Sequence, residues 1–219
     1  LGASYNFMQK YYADLGLAVI HSAQLAPGHR EALSPSLTLG WRLKNESFLK
    51  DVDAVDNMLL SVSGSIINED IDLARGDVRY YLYKGFWTSD NGYGWYDGSN
   101  DKYTYSKRGE NEDLGFIKRK ELSLSFKTSL WKHFVTLDAN FFINSMEGYL
   151  IDSPTFFPSH LNTSYPQGSF MPVLNYNNDR RVGFDFALNF NRKFGETDLS
   201  LGLTGTYYNT KATKVDENN

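Results

Sequence analysis

The sequence contains no cysteine, so structural disulfides, thiolate catalysis and cysteine-based zinc or iron–sulfur centres drop out together. It has no apolar run approaching the roughly 20 residues that a membrane-spanning helix needs, which excludes a helical membrane protein. Neither sign of charge dominates: a net charge of -4 and a pI near 5.6 leave no large basic field for phosphates, so nucleic acid is not expected as a partner. Proline is scarce, with 6 residues against 18 glycines in 219.

What the chain does have is aromatic residues, 16% of the total with 15 Tyr and 15 Phe, and an alternation of two apolar and polar faces. In 135–143, Val135, Leu137, Ala139, Phe141 and Ile143 share one side and Thr136, Asp138 and Asn140 the other. A helix would place apolar residues three and four apart, so period two over nine residues argues for a strand. About nine residues is what a tilted strand needs to cross a bilayer, and the side carrying Asp and Asn then has to meet water.

The same signature recurs in 182–190, where Val182, Phe184, Phe186, Leu188 and Phe190 oppose Gly183, Asp185, Ala187 and Asn189. It recurs again in 199–207, in 122–126 and in 37–43, and in weaker form in 1–9, 15–22 and 58–67, giving about eight strands. Tyr207 and Tyr208 are expected together in an aromatic girdle at a membrane interface. The mean hydropathy of -0.45 does not oppose a membrane barrel, because alternating strands average to mild polarity.

Connection lengths alternate. Residues 10–11, 130–133 and 192–196 are short links, whereas 23–33, 68–116 and 145–180 are long. Short turns on one side and long loops on the other is the layout of an outer-membrane barrel. The segment 44–56 falls on the short side and is expected to hold a helical turn capped by Asn45. The longest loop has room for its own hairpin, for instance around 78–86. The start, Leu1-Gly2-Ala3-Ser4-Tyr5, has no signal-peptide pattern, and Val215-Asp216-Glu217-Asn218-Asn219 is polar rather than a terminal aromatic strand, so a cut from a longer chain is expected.

Leu33-Ser34-Pro35-Ser36-Leu37-Thr38-Leu39-Gly40-Trp41-Arg42-Leu43 followed by Asn45-Glu46-Ser47-Phe48-Leu49-Lys50-Asp51 resembles SusC/RagA-type TonB-linked outer-membrane proteins, which carry a Pro-Ser-x-Ser-Leu-Gly-Trp-Arg strand and then a Glu-Ser-Phe turn. The likeness continues through Asp56-Asn57-Met58-Leu59-Leu60, Gly109-Glu110-Asn111-Glu112-Asp113-Leu114 and Arg180-Arg181-Val182-Gly183-Phe184-Asp185. The chain departs at 21–28, where the family's Arg-x-Asp-Gly-Ser-Ser-Arg-Phe loop is replaced, and at 111–113, where Asn-Pro-Asp is lost, which marks a divergent member. The resemblance implies an all-β barrel of about 22 antiparallel strands, of which residues 1–219 form part of one domain. It also implies a plug absent from these residues, energy coupling through TonB, import of an oligosaccharide or peptide, and a SusD-like surface lipoprotein as lid.

In the longest loop, Trp87, Tyr93, Trp95 and Tyr96 are spaced by Asn91-Gly92 and Gly94 beside Asp90 and Asp97. Flat aromatic faces among polar groups are what sugar rings stack on, so these four are the candidate substrate-binding residues. The competing reading, that they pack their own loop or pin it to a lid protein, is the commoner fate of such residues. Asp97-Gly98-Ser99-Asn100-Asp101 departs from the calcium-loop pattern, and His21, His29, His133 and His160 never fall at metal spacing, so no metal or cofactor is expected. There is no Gly-x-Ser-x-Gly, and the chain is not expected to be an enzyme. Asp138, Asn140, Asp185 and Asn189 could line a polar lumen along which a substrate or plug slides, but the preferred expectation is that they are simply solvated wall residues. Two alternatives remain at this level: a self-contained eight-stranded outer-membrane barrel acting as an enzyme or adhesin, and a soluble sugar-binding β-sandwich.

Overall fold

The computed structural model describes residues 1–70, 83–85, 87–90, 104–107, 109–151, 155, 157–158 and 171–216. Among the described residues ten strands follow one another: β1 (Gly2–Phe7), β2 (Tyr11–His21), β3 (Glu31–Arg42), β4 (Val55–Glu69), β5 (Trp87–Asp90), β6 (Thr104–Lys107), β7 (Ile117–Leu130), β8 (Val135–Ile151), β9 (Leu174–Phe194) and β10 (Thr197–Lys214). Eight of them form one antiparallel sheet in the order β1-β2-β3-β4-β7-β8-β9-β10, while β5 and β6 pair separately as a hairpin within the β4–β7 loop. That hairpin joins Trp87 to Lys107, and the expected placement around 78–86 lies mostly outside the described residues.

The register carries the alternation from strand to strand. On β8 and β9, Val135 faces Phe190, Leu137 faces Leu188, Ala139 faces Phe186, Phe141 faces Phe184 and Ile143 faces Val182. Between those rows Thr136 meets Asn189 and Asn140 meets Asp185. A one-residue slip would interchange the two faces along a whole strand, so apolar rows that remain apolar across the sheet fix each strand against its neighbour. Leu39, Val62, Leu124, Phe141, Phe184 and Tyr207 form one such outward row across six strands.

Among the described residues no second layer covers this outward face. Phe141 is 47% exposed, Phe184 46% and Leu201 65%, and Val135 is half-buried, whereas a β-sandwich would enclose these side chains between two sheets. The soluble-sandwich alternative is therefore overturned. A self-closed eight-stranded barrel is not observed either, since no β1–β10 pairing occurs among the described residues. The sheet is a length of barrel wall with two open edges.

Three details correct the sequence reading. Adjacent residues in a strand point to opposite faces, so Tyr207 packs outward with Phe184 at 5.9 Å between ring centroids, whereas Tyr208 points inward under the Arg181 guanidinium. The two tyrosines do not share a girdle. The 3-10 turn spans Leu43–Asn45 with Arg42 as its N-cap and no side-chain cap; Asn45 closes the turn, and its Nδ2 donates to the Gln9 carbonyl at 2.7 Å. Finally, β8 and β9 run well past the alternating stretches 135–143 and 182–190, to Ile151 and from Leu174, and this shortens the long connection between them.

The buried core is small and lies at the long-loop end. Leu25 and Ala26 from the β2–β3 loop pack with Tyr83, Leu114 and Phe116 from the β4–β7 loop and with Val173 ahead of β9, over Ile20, Ala32 and Leu150. Asn175 ties this end together, accepting from the Gly115 N–H at 2.8 Å and donating to the Gly115 and Gly148 carbonyls at 3.0 and 2.8 Å.

Candidate functional site

The inward face is polar along its length. Ser61, Ser125, Asn140, Asp185 and Thr206 form one row from β4 to β10. Ser125 Oγ donates to Asn140 Oδ1 at 2.7 Å, and Asn140 Nδ2 donates to Asp185 Oδ2 at 3.2 Å. On β3 and β4, Thr38 Oγ1 donates to Ser63 Oγ at 3.2 Å. Asp138 lies 4.0 Å from Lys127, and Asn189 faces Thr136 and Gly202 in the register. Asp138, Asn140, Asp185 and Asn189 are thus brought onto one face.

Towards the long-loop end this face becomes charged. Glu69, Arg119, Asn144, Met146, Tyr149, Asp179 and Arg181 line a cavity of about 310 Å³. Arg119 pairs with Glu121 and lies 3.9 Å from Glu69. Tyr149 donates its hydroxyl to Asp179 Oδ2 at 3.3 Å. Arg181 donates from Nε to Thr210 Oγ1 at 3.1 Å and stacks over the Tyr208 ring, its Cζ 4.7 Å from the centroid. Among the described residues no carboxylate pairs with Arg181, so its remaining edge donors are free for an acceptor entering from the mouth. The cleft therefore offers anion and cation partners side by side on a rigid wall.

Reasoning from the sequence missed this cleft. Its residues sit on the extensions of β4, β7, β8 and β9 beyond the apolar rows, and Glu69, Met146, Tyr149 and Asp179 fall within the expected long connections, although counting the alternation onward from Asp185 to Arg181 and Asp179 places two of them inward. Of the candidate substrate-binding residues, Trp87 opens β5, and Tyr93, Trp95 and Tyr96 lie outside the described residues, as do 97–101 and His160. His21 lies 3.7 Å from Glu31, and His133 Nδ1 is 2.7 Å from Ser129 Oγ. Among the described residues no cluster of His, Asp and Glu is placed to hold a metal.

At the opposite, short-turn end, Glu46 gathers three donors: Lys10 Nζ at 2.9 Å, the Tyr11 hydroxyl at 3.0 Å and Trp41 Nε1 at 3.1 Å. These bonds hold its carboxyl below the usual carboxylate range, the Lys10 ammonium having the largest effect, then the Trp41 indole and the Tyr11 hydroxyl. The Glu-Ser-Phe turn thus has a physical role, since Glu46 ties the 43–54 segment to the β1–β2 turn and to the start of β2.

No family model matches the chain. Over 116 residues, 52% of its length, it is 28% identical to the TonB-dependent receptor SusC of Bacteroides thetaiotaomicron, a match spanning 11% of that protein. Its fold is similar to chains in structures of the RagAB peptide importer in the closed-closed and open-open states, with TM-scores of 0.75 and 0.77 at 16% identity. The likeness covers 98% of this chain and 22% of each of those. Over the matched residues the chain is thus similar to a TonB-dependent receptor of the SusC type, and its fold is that of about a fifth of the RagAB chains it matches.

Proposed function

We propose that the chain forms part of the wall of an outer-membrane importer, energised through TonB, that takes up an oligosaccharide or peptide under a SusD-like surface lipoprotein. The observation that carries this reading is the single two-faced sheet: an uncovered apolar face for lipid, a hydrogen-bonded polar face for a lumen, and two open edges that require further strands. Residues 1–219 belong to one barrel domain, with the plug supplied by chain outside them. The wall performs no chemistry of its own; it positions polar groups along a path.

In this reading the substrate meets the aromatic loop with Trp87, Tyr93, Trp95 and Tyr96 first and the charged cleft next. The RagAB structures are named for a peptide importer, which supports peptide, while the SusC relative leaves the substrate class open. The test is fractionation and uptake with the full-length transporter. The protein is expected in the outer membrane, uptake of a labelled peptide or oligosaccharide is expected to stop when TonB is deleted, and alanine at the four aromatic positions is expected to weaken substrate binding. Recovery in the soluble fraction, or uptake indifferent to deletion of the transporter, would overturn the proposal.

A further inference from the structure

The outward face changes character abruptly at the end of its apolar band. The row Leu122, Ile143, Val182 and Asn209 is followed outward by Lys120, Ser145, Arg180 and Lys211, and then by Lys118, Glu147, Asn178 and Lys214. Two residues of strand separate successive rows on one face, so the cations begin about 7 Å beyond the last apolar row. That is the headgroup level on the long-loop, extracellular side of a bilayer whose hydrocarbon is crossed by 135–143. Among the described residues five cations stand in these two rows against one carboxylate, that of Glu147, although the chain as a whole carries a net charge of -4.

Among the described residues only Glu147 offsets this patch. Glu147 is taken by Lys120, at 2.6 Å. Arg180 reaches Ser145 Oγ at 3.4 Å, and Lys214 lies over the Tyr176 ring at 3.8 Å. Among the described residues the Lys118 and Lys211 ammonium groups have no hydrogen bond or ion pair. Arg180 and Lys211 are direct cross-strand partners, and like charges in that relation destabilise a sheet unless an anion lies between them. All five cations point outward, away from any lumen substrate, and a planar guanidinium beside several ammonium groups suits phosphate oxygens.

We propose that this outward patch binds the phosphate groups of an anionic glycolipid in the extracellular leaflet. The inference rests on the outer-membrane reading. Its test uses the full-length transporter extracted from outer membranes, with co-purifying phosphorylated lipid A measured per protein. Arg180→Gln with Lys211→Gln is expected to retain several-fold less than wild type, and Arg180→Lys with Lys211→Arg to restore retention. In phosphatidylcholine vesicles, phosphorylated lipid A is expected to raise the unfolding temperature of wild type and not of the double glutamine variant.

Should that variant fail to assemble, Lys118→Gln is expected to lower retention by itself. Equal retention by wild type and variants would overturn the inference. So would an equal effect of dephosphorylated lipid A, or a rise in unfolding temperature with inorganic phosphate alone as large as that with phosphorylated lipid A. Unchanged lipid retention with loss of a co-purifying protein would assign the patch to a protein partner and overturn it as well. If wild type instead fractionates away from the outer membrane, it is the transporter reading that fails.

Discussion

Phe186 lies in the central outward row, with Leu60, Phe126, Ala139 and Gly205 beside it, and its neighbour Ala187 faces inward between Asp138 and Thr204. An Arg at position 186 must place its charge near the bilayer midplane, which costs about 2 to 4 kcal/mol relative to a small side chain. That corresponds to roughly 30-fold to several hundred-fold in the folding equilibrium. The ring of Phe186 also lies over Gly205, where an added Cβ would come within 2.7 Å of Cε1, so truncation exposes a glycine backbone. Phe186→Ala is therefore the reference that separates loss of the ring from the burden of charge. Ala187→Arg supplies the opposite case, because the new guanidinium would sit across from the Asp138 carboxylate in the watery interior and is expected to change stability by less than about 0.5 kcal/mol. Urea titration of the transporter folded into vesicles, followed by the heat-modifiable band shift, gives all three values. Equal costs at 186 and 187, or a larger cost at 187, would refute the assignment of faces and with it the membrane wall.

Three further outcomes are expected. At Gly183 an added Cβ would meet the Tyr207 carbonyl oxygen at 2.6 Å and the Phe142 ring at 2.7 Å, so Gly183→Ala is expected to cost about 1 to 3 kcal/mol by overpacking, while Gly64→Ala, with its nearest neighbour at 3.9 Å, stays within about 0.5 kcal/mol in the same titration. Asn175→Ala removes three hydrogen bonds that join the long-loop ends; a loss of about 1 to 3 kcal/mol is expected, read as faster hydrogen exchange at Gly115. The Glu46 carboxyl is held below its ordinary range when folded, so its stabilisation is present at neutral pH and disappears as pH falls from that range through the lowered value. Glu46→Gln is expected to flatten this acid limb and to open residues 43–54 to protease; an unchanged acid limb would deny the latch.

Much of the wall was legible in one dimension, since a strand facing oil and water must alternate and 135–143 and 182–190 do so without interruption. The same parity would have separated Tyr207 from Tyr208, which belong to opposite faces whatever the rest of the molecule does. Helical patterning in 44–56 misled about Asn45, because the side chain serves a turn 36 residues away and not its own helix end. The aromatic loop was conspicuous by composition alone, whereas the cleft around Arg119, Asp179 and Arg181 was not, since its members come from strands whose lengths no local signal marks.

The order of amino acids, by itself, determined which residues share a face of each strand, because side-chain direction along a strand depends only on odd or even position. It determined the absence of disulfide chemistry for an equally local reason. Only the tertiary structure decided which odd and even positions share a row. Register between strands far apart in sequence puts Lys120, Arg180 and Lys211 on one line outside and Asn140 against Asp185 inside, and that pairing is a property of the assembled sheet.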